Sequence, residues 1–157
     1  MNSIIESYYP TFEQYQAVRK QLMELLSDED LSFKVEGNPS LGELCKQIGE
    51  TEFSYLQGFK TFKLTFDYKN EDLGLATSVE RLTAWYAELD KDLRATIEAL
   101  SQEEVESKTI DRGGWELPVQ INLTVYTEAL LIFYGKVWVY LNAMGKELPK
   151  QWQEWIG

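Results

Sequence analysis

The 157-residue chain contains no histidine, which closes it to metal chemistry of the usual imidazole kind. What remains for chemistry is a set of carboxylates, one thiol and an arginine beside paired glycines. Glu128 lies in a markedly apolar stretch, between Tyr126 and Leu131, where a buried and unpaired carboxylate is costly. Desolvated, it would have a raised pKa and act as an acid or base, or ligate a metal. Otherwise it faces water or pairs with a base such as Arg112. Glu43, Glu50 and Glu52 suggest a carboxylate-bridged di-iron site, but such sites also use Glu-x-x-His pairs, and no histidine is available. Nothing resembles a dedicated calcium loop, so these three are read as a solvated helix face. In Asp111-Arg112-Gly113-Gly114-Trp115 the glycines can present backbone N–H groups to an anion, with Arg112 assisting. The spacing matches no phosphate-binding motif, and the simpler reading is a loop whose tryptophan closes one end of a bundle. A reactive thiol needs exposure and a lowered pKa. Cys45, among Leu44, Ile48 and Gly49, is read as inert packing.

Helices position these groups. Thr11-Phe12-Glu13-Gln14, Ser40-Leu41-Gly42-Glu43 and Thr77-Ser78-Val79-Glu80 each fit a capping box, in which two side chains satisfy free N–H groups at a helix start. Apolar residues follow each at intervals of three and four. They are Phe12, Tyr15, Val18, Leu22, Leu25 and Leu26; then Leu41, Leu44, Ile48, Tyr55, Phe59 and Phe62; then Leu82, Trp85, Tyr86, Leu89, Leu93, Ile97 and Leu100. The third helix carries Glu80, Arg81, Glu88, Asp90, Lys91 and Arg94 on its wet face. Ser101 to Glu104 makes a single helical turn, and a short hairpin is compatible with the stretch around the paired glycines. A fourth helix runs from about Pro118 to Met144, with Gly145 as its stop. The tail then packs Trp152 and Trp155 back onto the bundle. Four long helices without strand-period segments predict an all-α four-helix bundle, a single domain over 1–157, with a long loop before its last helix. The connections between helices one and two and between three and four are long enough to cross the bundle end diagonally.

A net charge of −11 disfavours nucleic acid and anionic lipid, because both are held mainly by Lys and Arg. The most apolar run, Ala129 to Leu141, is too short to span a bilayer. One cysteine and no signal-like N-terminus fit a cytoplasmic setting. Helix four is apolar nearly all round, so the tail or a second subunit must cover its second face. A two-fold homodimer is the expected partner arrangement, with Gly135 allowing close helix approach.

Ser40-Leu41-Gly42-Glu43-Leu44-Cys45-Lys46-Gln47-Ile48-Gly49-Glu50 resembles the second helix of the DinB-like superfamily. Glu128-Ala129-Leu130-Leu131-Ile132-Phe133-Tyr134-Gly135-Lys136-Val137 resembles its last bundle helix. Tyr140 to Pro149 matches the typical ending, a helix closing on glycine with a proline soon after. The resemblance implies a four-helix bundle, often dimeric, and in many members a divalent metal on three histidines. Some of those members are thiol-dependent transferases or isomerases. Here the three positions fall on Gln47, Ala129 and Phe133, which supply no ligand set for zinc or nickel. The expectation is a bundle without metal or other cofactor that binds a small ligand or partner, with Gln47, Phe133, Ala129 and Arg112 as binding candidates. The alternatives are an enzyme using the pocket between helices two and four, with Glu128 as its catalytic candidate, and a purely structural dimer.

Overall fold

The computed structural model describes residues 1–157. Its long helices are α1 (Tyr9–Leu25), α2 (Leu41–Thr61), α3 (Val79–Glu98) and, after a short α4 (Gln102–Ser107), α5 (Val119–Ala143); α6 (Lys150–Trp155) ends the chain. Strands β1 (Thr109–Asp111) and β2 (Glu116–Pro118) form an antiparallel hairpin ahead of α5, with Ile110 opposite Leu117. Helix α2 packs on α3 and α5, and α1 packs on the same two. So α1 and α2 occupy one diagonal of the bundle, and α3 and α5 the other. Both long connections therefore cross a bundle end.

The helix starts follow local chemistry, with two departures from the sequence reading. Ser40 caps α2 as expected: its Oγ accepts from the Glu43 N–H at 3.1 Å, and Glu43 Oε2 accepts from the Ser40 N–H at 2.7 Å. Ser101 and Glu104 form a second capping box, at α4. The α3 cap is Ser78 rather than Thr77, because Thr77 still belongs to the 3-10 turn Leu73–Thr77. Thr11 caps nothing. A π-helical turn, Ile4–Tyr8, runs straight into α1 and places Pro10 in the first turn, where its missing N–H costs no hydrogen bond. Asn2 anchors this start by donating to the carbonyls of Ile97 at 2.7 Å and Leu100 at 2.9 Å.

One continuous apolar core extends from Ile4 to Trp152. Glycine sets the closest approaches to α2. A Cβ on Gly49 would sit 2.3 Å from the Trp85 ring, and one on Gly42 would sit 1.8 Å from the Ala76 carbonyl oxygen. The tail covers α1 and α5 through Trp152, whose indole N–H donates to the Val18 carbonyl at 3.0 Å and whose ring meets Tyr134 edge-on. Trp155 stacks edge-on against Tyr15 and stays half exposed. No helix is long and apolar enough to cross a membrane.

Candidate functional site

Gln47, Ala129 and Phe133 line one open groove of about 210 Å³ between α2 and α5, together with Leu44, Ile48, Thr51, Ile132 and Lys136. Helical spacing explains the convergence: Gln47 and Thr51 stand one turn apart on α2, as do Ala129 and Phe133 on α5. Phe133 lines the floor at 4% exposure, and the groove above it is open to solvent. Gln47 is exposed and Lys136 sits at the rim. The groove offers an apolar floor, one amide and one cation.

The other two candidates lie elsewhere. Glu128 is exposed on α5 and takes part in no ion pair, so it is not a desolvated acid. Its neighbours in sequence are apolar, but its position on the helix turns it outward. Arg112 does not reach the groove or Glu128. It donates to Asn122 Oδ1 at 3.0 Å and to the Tyr55 hydroxyl at 3.3 Å, near the hairpin.

The main departure from the sequence reading is at the centre of the bundle. Glu52 is fully buried (0% exposed) and ion-paired to Arg19, itself 1% exposed. Arg19 Nη2 also meets Asp90 Oδ1 at 2.6 Å, and Tyr126 donates its hydroxyl to Glu52 Oε2 at 2.7 Å. Each of the four long helices thus sends one polar side chain to a common point. Glu50, also buried, accepts from the Asn70 N–H at 3.0 Å and fastens the loop after α2. Of the three carboxylates read as a wet face, only Glu43 lies outward, and Asp90 has likewise turned inward. Burial pushes the Glu52 carboxyl up to about 7, with Arg19 pulling it down and Asp90 pushing it up. Its Oε1 has no hydrogen-bond partner. Cys45 is fully buried, and burial pushes its thiol up to about 12, which keeps it protonated and inert at neutral pH.

The family model of the DinB superfamily matches residues 11–134. The chain belongs to the DinB superfamily. A solved DinB-like protein from Bacillus subtilis superposes with a TM-score of 0.69 at 22% identity, covering 88% of this chain and 92% of that one. A DinB-like protein from Bacillus cereus does so at 0.70 and 21%, covering 88% and 93%. These likenesses are in fold. Among curated proteins none matches. The donor set at the three groove positions does not fit the metal that the DinB resemblance implies. The side chains of Ala129 and Phe133 have no lone pair to offer, and the Gln47 amide alone makes no ligand set. No three Cys, Asp or Glu side chains converge elsewhere to replace it.

The Arg19–Glu52–Asp90 cluster escaped the sequence reading although its signal was present. The apolar stripe of α2 skips from Ile48 to Tyr55, and Glu52 stands four residues after the first and three before the second. Arg19 fills the matching place three residues before Leu22 on α1. A charge inside a stripe marks burial with a partner. Which partner it finds depends on which helices lie diagonal.

Proposed function

We propose that this DinB-superfamily bundle works by binding rather than by metal chemistry, and that its binding surface is the α2/α5 groove with the exposed apolar strip of α5 beside it. The observation that carries this reading is the groove itself, where Ala129, Phe133, Leu44 and Ile48 give an apolar floor in an opening that Gln47 and Lys136 border. A volume of about 210 Å³ lies below the roughly 300–1,000 Å³ of pockets that enclose a typical small-molecule ligand. It suits a few-atom ligand or a side chain of a partner better. Leu131, Ile132 and Val139 extend it along the outer face of α5, with Ile132 at 61% exposure.

A second copy of this chain is the occupant that this surface fits. In an antiparallel two-fold pairing of α5 centred on Ile132, residues equally far before and after Ile132 face each other across the axis. Glu128 then meets the partner's Lys136, and Gly135 meets the partner's Ala129. Opposite charges and small residues fall in register, and nothing within 4 Å crowds a Cβ built on Gly135. A cytoplasmic homodimer without a resident metal is the resulting picture.

Sedimentation velocity over a wide concentration series tests it. The wild-type chain is expected to sediment as a dimer, Ile132→Glu as a monomer, and Lys136→Glu as a weakened dimer. Adding Glu128→Lys to Lys136→Glu should restore the wild-type profile, because the pair is only exchanged. A wild-type chain that stays monomeric at the highest concentration would rule out the dimer.

A further inference from the structure

The chain has four arginines, and three of them meet carboxylates: Arg19 with Glu52 and Asp90, Arg81 with Asp72, and Arg94 with Glu13 and Glu98. Arg112 meets none, although the chain carries 26 acidic residues. Its side chain is only partly exposed, and its two hydrogen-bond partners, Asn122 and Tyr55, are neutral. The buried Nε–H has no acceptor. Three rings surround the guanidinium carbon, at 5.0 Å for Trp115, 5.4 Å for Tyr55 and 5.7 Å for Phe66. Trp115 and Phe66 are themselves more than half exposed, an unusual setting for large apolar side chains.

A guanidinium partly removed from water keeps its charge, and its planar fork matches a carboxylate in two parallel hydrogen bonds. The two exposed rings, Phe66 and Trp115, supply flat apolar walls on which an aromatic body can stack, while Tyr55, 2% exposed and packed on Tyr126, backs the guanidinium from the core. The positive φ values of Gly113 and Gly114 (81° and 108°) let the loop turn back, and the Arg112 N–H to Trp115 carbonyl bond of 2.8 Å closes that turn beside the guanidinium. Asp111 and Glu116 flank the site, so one negative charge is tolerated better than two.

We propose that Arg112, with the exposed Phe66 and Trp115 rings, forms a binding site for a small aromatic carboxylate. The site is separate from the α2/α5 groove and does not depend on dimer formation.

Benzoate is the probe, titrated into the full-length chain and followed by amide and indole NMR shifts. Acetate, benzyl alcohol and inorganic phosphate serve as controls. Saturable benzoate shifts are expected at the Trp115 indole and the loop amides, with affinity about tenfold or more above benzyl alcohol, which lacks the charge-assisted hydrogen-bond pair, and severalfold above acetate and phosphate, which lack the stacking ring. Arg112→Gln should weaken benzoate by about tenfold. Trp115→Ala, an exposed position with little bearing on folding, should weaken benzoate while leaving the acetate response unchanged. Equal binding of benzoate and benzyl alcohol, or tighter binding of phosphate, would overturn the proposal. So would benzoate affinity that survives both substitutions, or the absence of saturable shifts at the loop.

Discussion

Arg19→Met is expected to destabilise the fold by about 3–5 kcal/mol, the usual cost of removing one partner from a buried ion pair. The substitution takes away the only cation facing Glu52 and also releases Asp90. Glu52, fully enclosed, would keep only the Tyr126 hydroxyl. A domain of this size has about 5–15 kcal/mol of total stability, and each kcal/mol moves its melting temperature by about 2–4 °C. A fall of about 6–20 °C follows, with the denaturant midpoint lowered and the slope kept. An Arg19→Met protein within about 0.5 kcal/mol of wild type would show that the cluster carries no energetic weight. Replacing the whole cluster by apolar residues of similar volume is a different experiment. It removes the desolvation cost along with the attraction and is often neutral or stabilising. The two results together would separate the strength of the ion pair from its effect on which helices pair.

Stability should also fall as pH rises from about 5 to about 8, and Glu52 should account for the fall. A carboxyl raised in the folded state from 4.5 to about 7 binds more protons folded than unfolded across that interval. The stability it contributes is full below about 4.5 and is lost as pH rises through about 7. A shift of that size corresponds to about 3 kcal/mol. The groups facing Glu52 are Arg19 from α1, Asp90 from α3 and Tyr126 from α5. Burial raises Tyr126 and nearby Tyr86 and Tyr134, so they stay neutral throughout. Carboxyls lowered by hydrogen bonds, such as Glu43 and Glu104, act in the opposite direction but below this window. Urea unfolding of wild type and Glu52→Gln at several pH values isolates the effect. The glutamine variant should give the flatter profile, and parallel profiles for the two proteins would remove Glu52 as the source.

Much of the architecture was written in short-range patterns. The Ser40–Glu43 box, the three- and four-residue spacings and Gly145 depend only on neighbours in sequence, and each reappears in the structure. The chain turns helical ahead of Pro10 because Asn2 caps the π turn locally, its Oδ1 accepting from the Ile5 N–H at 3.2 Å. Asn2 also reaches carbonyls at the end of α3, and the two contacts together hold that turn in front of Pro10. The groove was legible through resemblance alone, since nothing in the types of Gln47, Ala129 and Phe133 draws them together. Glu52 and Asp90 depart from the wet-face reading because charge alone does not mark exposure: Glu52 is fully buried and Asp90 is 33% exposed, both drawn to Arg19. Their convergence depends on three helices meeting, which no single helix encodes. Glu128 takes the second of its two readings and faces water, because the helix turns it outward despite its apolar neighbours along the chain.

The absence of a resident metal, proposed above, is most directly tested by the metal content of the purified protein. Produced in medium supplemented with zinc and nickel, and purified without chelators, the wild-type chain is predicted to carry neither metal in stoichiometric amount by elemental analysis. One tightly held zinc or nickel per chain would contradict a groove whose Gln47, Ala129 and Phe133 offer no ligand set.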